Sequence, residues 1–101
     1  MRLQWSQRAA RDLRAIGRFI AKDNRAAARR FVETLRLRAG QAASAPWAGR
    51  MVPEHGRENI REIIYKNYRI VYLVGDGVVR VLAVFESHRL FPDGTVNPQA
   101  E

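Results

Sequence analysis

The tract from residue 60 to residue 89 constrains the fold more than any other part of the chain. Ile70-Val71-Tyr72-Leu73-Val74 is apolar at five consecutive positions, and Val78 to Phe85 is apolar except at Arg80. A strand that covers a core with one face alternates apolar and polar side chains. Neither run alternates, so both faces of this pair need a cover. Asn67 and Gly75-Asp76-Gly77 are turn residues, and "IREIIY" (60–65) supplies a strand in front. The tract therefore predicts an antiparallel meander over 60–65, 68–74 and 78–87.

What precedes the meander is helical. "RLQWS" (2–6) alternates and reads as a short first strand. Ser6 then caps a helix in which Ala9, Leu13, Ile16 and Ile20 recur at helical spacing, with Arg8, Arg11, Arg18 and Lys22 on other positions. Asp23-Asn24 breaks that helix, and Asn24 caps the next. The second helix carries Ala28, Phe31, Val32, Leu35, Ala39 and Ala42 as its apolar stripe. So short a break makes the pair an antiparallel hairpin. Residues 44–59 hold Pro46, Gly49, Pro53 and Gly56 and read as a loop anchored by Trp47 and Met51. Residues 91–101 read as a loosely ordered tail. The expected fold is α+β: an N-terminal strand, a helical hairpin and a three-stranded meander, forming one sheet with the helices packed on one face, in a single domain spanning 1–101.

One hairpin covers one face of that sheet. The other face, with Val71, Leu73, Leu82 and Val84, needs either a partner laid across it or the chain's own loop 44–59 and tail. These four residues are the candidates for a partner-binding surface.

Composition narrows the chemistry. There is no cysteine, so disulfides, thiolate nucleophiles and most zinc sites are excluded. Two histidines, His55 and His88, do not make a conventional metal site, and no cofactor is implied. No apolar run is long enough to span a bilayer, and the early arginines interrupt any signal-peptide pattern, so a cytoplasmic location is expected. The net charge is +8, and residues 7–45 hold ten basic against three acidic residues. Such a balance suits nucleic acid, the ribosome or an acidic protein partner.

Taken in order, the segments "WSQRAARDLRAIGRFIAKDNRAAARRFVETL", "GRMVPE", "IRE", "NYRIVYLV" and "VLAVFESHR" resemble the RelE/ParE superfamily, the toxin halves of bacterial type II toxin–antitoxin pairs. The resemblance covers roughly residues 3–90. It implies a small toxin neutralised by a cognate antitoxin that binds across the sheet, with Val71, Leu73, Leu82 and Val84 as the contact residues. RelE-like members cleave mRNA on the ribosome. That chemistry needs an activated 2′-OH, a stabilised pentacoordinate phosphate and a protonated leaving oxygen. On this branch the resemblance assigns Arg69, Arg89 and Arg61 to the phosphate and His88 to proton transfer, with Glu54, Glu62 and Glu86 as possible bases. ParE-like members lack a full catalytic set and poison DNA gyrase.

The chain departs from the RNA-cleaving pattern. Arg61 stands in a strand without lysine before Lys66, and no tyrosine follows Arg89. The "AKDN" turn, the alanine-rich second helix and the "GR-x-VPE" loop resemble the ParE side. Gyrase poisoning is thus the first reading, ribosome-dependent endoribonuclease the alternative, and a non-toxic nucleic-acid-binding module the third.

Register decides whether Arg69 has catalytic company. The expected turn is the two-residue Asp76-Gly77, with both residues at positive φ, which sets Gly75 opposite Val78 and Arg69 opposite Val84. Arg69 then shares a face with Leu82, Glu86 and His88. A three-residue turn would set Arg69 opposite Ala83.

Overall fold

The structure is a computed structural model and describes residues 1–96. Its elements follow the order β1 (Arg2–Trp5), α1 (Gln7–Ala21), α2 (Arg25–Ser44), β2 (Arg50–Met51), β3 (Ile60–Tyr65), β4 (Tyr68–Gly75) and β5 (Val78–Glu86). Both helix starts follow the expected capping chemistry. Ser6 Oγ accepts from the Ala9 N–H at 3.0 Å, and Asn24 Oδ1 accepts from the Ala27 N–H at 2.9 Å. The hydroxyl of Ser6 also donates to the Leu82 carbonyl at 3.1 Å, so one residue caps α1 and ties it to β5.

The strands form one sheet in the order β1-β5-β4-β3-β2. The meander is antiparallel, and β1 joins β5 in parallel, from Arg2 opposite Val78 to Trp5 opposite Val81. The helical hairpin covers one face. There Ala9, Leu13, Leu35 and Ala39 pack on Ile70, Val81 and Val84, and Ala42 packs near Tyr72, Val74 and Val79. The short β2 was not expected; it lies inside the predicted loop 44–59.

The far face is covered by the chain itself. Val52 from the loop packs with Ile60, Val71, Leu82, Ala83 and Phe85, and Phe91 and Val96 close over the same cluster. The Phe91 ring meets the edge of Phe85 at 5.5 Å and of His55 at 4.9 Å. This corrects the tail: residues 91–96 fold back as part of the core, with Thr95 buried. The rest of the expected loose tail, 97–101, lies outside the described residues. It also corrects the apolar contact set. Val71, Leu82 and Val84 are buried, and Val84 points to the helices, because a β-strand turns successive side chains to opposite faces. Leu73 is half-buried.

The register expectation is half right. Gly75 does oppose Val78, so the two-residue turn is present. Only Gly77 of its two central residues has positive φ, at 69°, so Asp76 keeps an ordinary backbone. Further along, Tyr72 opposes Val81 while Val71 opposes Ala83. Leu82 is therefore an extra residue, a β-bulge, and every later pairing is shifted by one. Arg69 opposes Phe85 rather than Val84. The expected cluster of Arg69 with Leu82, Glu86 and His88 on one face does not form.

Candidate functional site

Arg69 stands on the middle strand of the meander, on the face away from the helices, and its side chain is 7% exposed. A guanidinium so placed needs compensation for its lost hydration. Every nitrogen has it. Nε donates to Glu62 Oε1 at 2.6 Å, and Nη1 and Nη2 donate to the two oxygens of Glu54 at 2.8 Å each. The second oxygen of Glu62 accepts from Arg50 Nε at 2.6 Å. Glu62, itself fully buried, thus bridges a buried and an exposed arginine. The rings of Phe85 and Phe91 lie 5.2 and 5.5 Å from the guanidinium carbon and complete the enclosure.

The fork-on-fork contact from Arg69 holds the Glu54 carboxyl down to about 2, well below its ordinary 4.5, against the opposing effect of burial. The same contact raises the pKa of Arg69. Both Glu54 and Glu62 are engaged by Arg69, so neither is a free base. The cross-strand Arg69–Glu62 pair was legible from the pairing of β3 with β4. Glu54 and Phe91 were not, because neither lies on a strand; for Glu54 the signal was the "VPE" loop motif, which places a carboxylate within a turn after β2.

Arg61 lies on the opposite face of β3. It pairs with Tyr72, donates to the carbonyls of Glu58 at 2.6 Å and Gly49 at 3.1 Å, and stacks 5.1 Å from the Trp47 ring. It anchors the loop to the sheet. Tyr72 serves the same loop, donating to the Pro46 carbonyl at 2.7 Å. Gly49 lets these groups approach, since a Cβ there would meet the Tyr72 hydroxyl and come within 2.8 Å of the Glu62 carbonyl oxygen.

His88 and Arg89 follow the end of β5 and are exposed. Both approach Glu86, His88 Nδ1 at 3.8 Å and Arg89 Nη2 at 3.4 Å. Arg89 lines a cleft against α1 with Asp12, Ile16, Phe19, Tyr68 and Glu86. In that cleft Asp12 accepts the Val84 N–H at 2.9 Å, and burial still raises its pKa. Burial also raises the Tyr68 phenol, with the Glu86 carboxylate adding to the effect. The four residues assigned to catalysis thus occupy three places: a buried ion-pair cluster, a loop anchor and an exposed strand end. The structure does not bring them together.

A family model described as "ParE toxin of type II toxin-antitoxin system, parDE" matches residues 3–91. The chain belongs to the ParE toxin family. Among solved structures, the fold matches a chain of the "Chromosomal ParDE TA system from P. aeruginosa" with a TM-score of 0.71 at 18% identity, covering 85% of this chain and 95% of that one. No curated protein matches the sequence. The expected strand, hairpin and meander are thus the ParE arrangement. Among the described residues no helix is long and apolar enough to cross a membrane.

Proposed function

We propose that this ParE-family chain arrests growth by poisoning DNA gyrase, without cleavage chemistry of its own, and that a small cognate antitoxin neutralises it. The observation that carries the reading is the state of Arg69. All three of its nitrogens are engaged by Glu54 and Glu62, so it has no fork to offer a scissile phosphate. Arg61 is held by two backbone carbonyls, and His88 and Arg89 stand at a separate strand end. Phosphoryl transfer needs such groups aimed at one point. The decisive comparison is a gyrase supercoiling assay beside mRNA-cleavage mapping on ribosomes. The expected result is inhibited supercoiling with intact mRNA. Codon-phased cleavage with supercoiling unaffected would replace this reading by the endoribonuclease one.

The antitoxin's berth follows from where the sheet still has room. The central apolar set is covered by the chain's own loop and tail. Strand β1 shields β5 only as far as Val81, and beyond it the cleft lined by Ile16, Phe19, Tyr68 and Glu86 adjoins the outer edge of β5. Phe19 is 69% exposed there. An extended antitoxin segment laid along this cleft would cover Phe19. Phe19→Asp should weaken the complex on size exclusion while leaving the toxin folded. An unaltered complex would move the berth elsewhere.

A further inference from the structure

The helical hairpin carries basic charge that the fold does not use. Arg14 and Arg18 on α1 and Arg36 on α2 line one groove between the helices. Its floor is recessed: Leu13 is buried, and Gly17, Ala21 and Val32 are half-buried. The helices come close at this point, since a Cβ on Gly17 would lie 3.2 Å from Val32. Arg25 and Arg29 extend the row, because positions 25, 29 and 36 are separated by about one and two helical turns. All five arginines are exposed, none has a hydrogen bond, ion pair or ring contact within the described residues, and no acidic residue lines the groove. Other arginines are engaged instead. Arg50, Arg61, Arg69 and Arg89 each engage a carboxylate or a carbonyl.

We propose that this groove is a docking surface for the phosphate backbone of duplex DNA. Arg14, Arg18 and Arg36 line the groove with no carboxylate among its lining residues, and Glu33, between Arg29 and Arg36 on α2, is the one acidic residue along the longer row; the clustered like charges repel one another, and a polyanion relieves that repulsion. An acidic protein partner would seek an apolar anchor at the centre of its interface, and here the apolar floor is recessed below the arginines. A single strand would seek exposed rings to stack its bases on, and no aromatic residue lines the groove. What remains is a set of guanidinium forks, which match phosphate oxygens and read no sequence. This inference concerns a surface apart from the Arg69 cluster and from the cleft at Phe19, and it does not depend on gyrase being the target.

The test is fluorescence anisotropy of a labelled mixed-sequence DNA duplex titrated with the purified full-length toxin across a range of KCl concentrations. Binding should fall log-linearly with salt, with a slope of about −0.9 per phosphate engaged. Arg18→Gln should make the slope shallower by about 1, and Arg14→Gln/Arg18→Gln/Arg36→Gln by about 3, with binding weakened at least ~10-fold at fixed salt. Arg80→Gln, which removes an exposed charge from β5, should leave the slope unchanged. Circular dichroism of each variant verifies the fold. Absence of binding at low salt overturns the proposal. So does an equal loss from Arg80→Gln and Arg18→Gln, or tighter binding of a poly-glutamate peptide than of DNA, which would make the groove an acidic-protein site.

Discussion

The two faces of this molecule treat arginine in opposite ways. On the far face of the sheet, Arg69 is buried between two phenylalanines and shared by two carboxylates, one of which also holds Arg50. On the helical hairpin, Arg14, Arg18, Arg25, Arg29 and Arg36 stand in solvent without partners among the described residues. The same side chain is a structural cross-link in one place and an unspent surface charge in the other. Removing it should therefore damage folding in the first region and binding in the second.

The largest expected effect is at Arg69. Arg69→Ala leaves Glu62 buried with only the exposed Arg50, and an uncompensated buried charge costs about 3–5 kcal/mol. Urea unfolding measures it. Any loss of toxicity in this variant is then a loss of folded protein. A variant that keeps full stability yet loses toxicity would break the contrast and restore Arg69 as a functional group. Gly49→Ala comes next. The added methyl presses on the Tyr72 hydroxyl and the Glu62 carbonyl, so the loop must shift, at about 1–3 kcal/mol. Since the two changes touch groups joined through Glu62, their effects should not add.

Much of the fold was legible because it rests on local signals. Ser6 and Asn24 cap the helices as their side chains require, and the spacing of Leu13, Leu35 and Ala39 marks the buried stripes. The bulge at Leu82 was not legible. Nothing in "VRVLAVFE" distinguishes an extra residue from a paired one when every neighbour is apolar, and a shift of one residue then moved Arg69 from Val84 to Phe85. The site was half legible for a related reason. The pairing of β3 with β4 sets Glu62 diagonally across from Arg69 on the same face, whereas Glu54 and Phe91 arrive from segments 15 residues before and 22 residues after Arg69 in the sequence, and no periodicity reports on such contacts. The non-alternating pattern correctly demanded two covers; it did not say that the second one was the chain's own tail.

Acid provides a smaller, graded test of the paired face. The Glu54 carboxyl is lowered to about 2 from 4.5, so its contribution is fully present above its ordinary pKa and is lost as pH falls from about 4.5 toward 2. Glu54 is 41% exposed, and solvent screening keeps the effect modest. Asp12 acts in the other direction. Burial raises its pKa, so protonation in acid favours the folded state and offsets part of the loss. The urea midpoint should therefore drop between pH 5 and pH 2, and Glu54→Gln should flatten that drop while lowering the midpoint at neutral pH. An unchanged slope in Glu54→Gln would mean that the fork-on-fork contact is not maintained in solution.

The smallest expected effect has the opposite sign and bears on the unpaired face. Arg14 lies in the middle of α1, with Arg18 four residues ahead and Arg11 three residues behind. Those spacings place all three on neighbouring positions of one helix surface, where like charges destabilise and opposite charges stabilise by about 0.2–0.5 kcal/mol per pair. Arg14→Glu converts two repulsive pairs into two attractive ones, and a glutamate four residues before an arginine is the more favourable orientation. The variant should gain on the order of 1 kcal/mol at low salt, and the gain should shrink as salt screens the pairs. It should at the same time lose affinity for the duplex. Thermal unfolding at two salt concentrations, read beside the anisotropy titration, measures both. A stabilised variant with weakened binding would establish that the hairpin keeps its arginines at a cost to stability. A destabilised variant would mean that Arg14 already has a partner in the folded state, and the contrast between the two faces would fail at that residue.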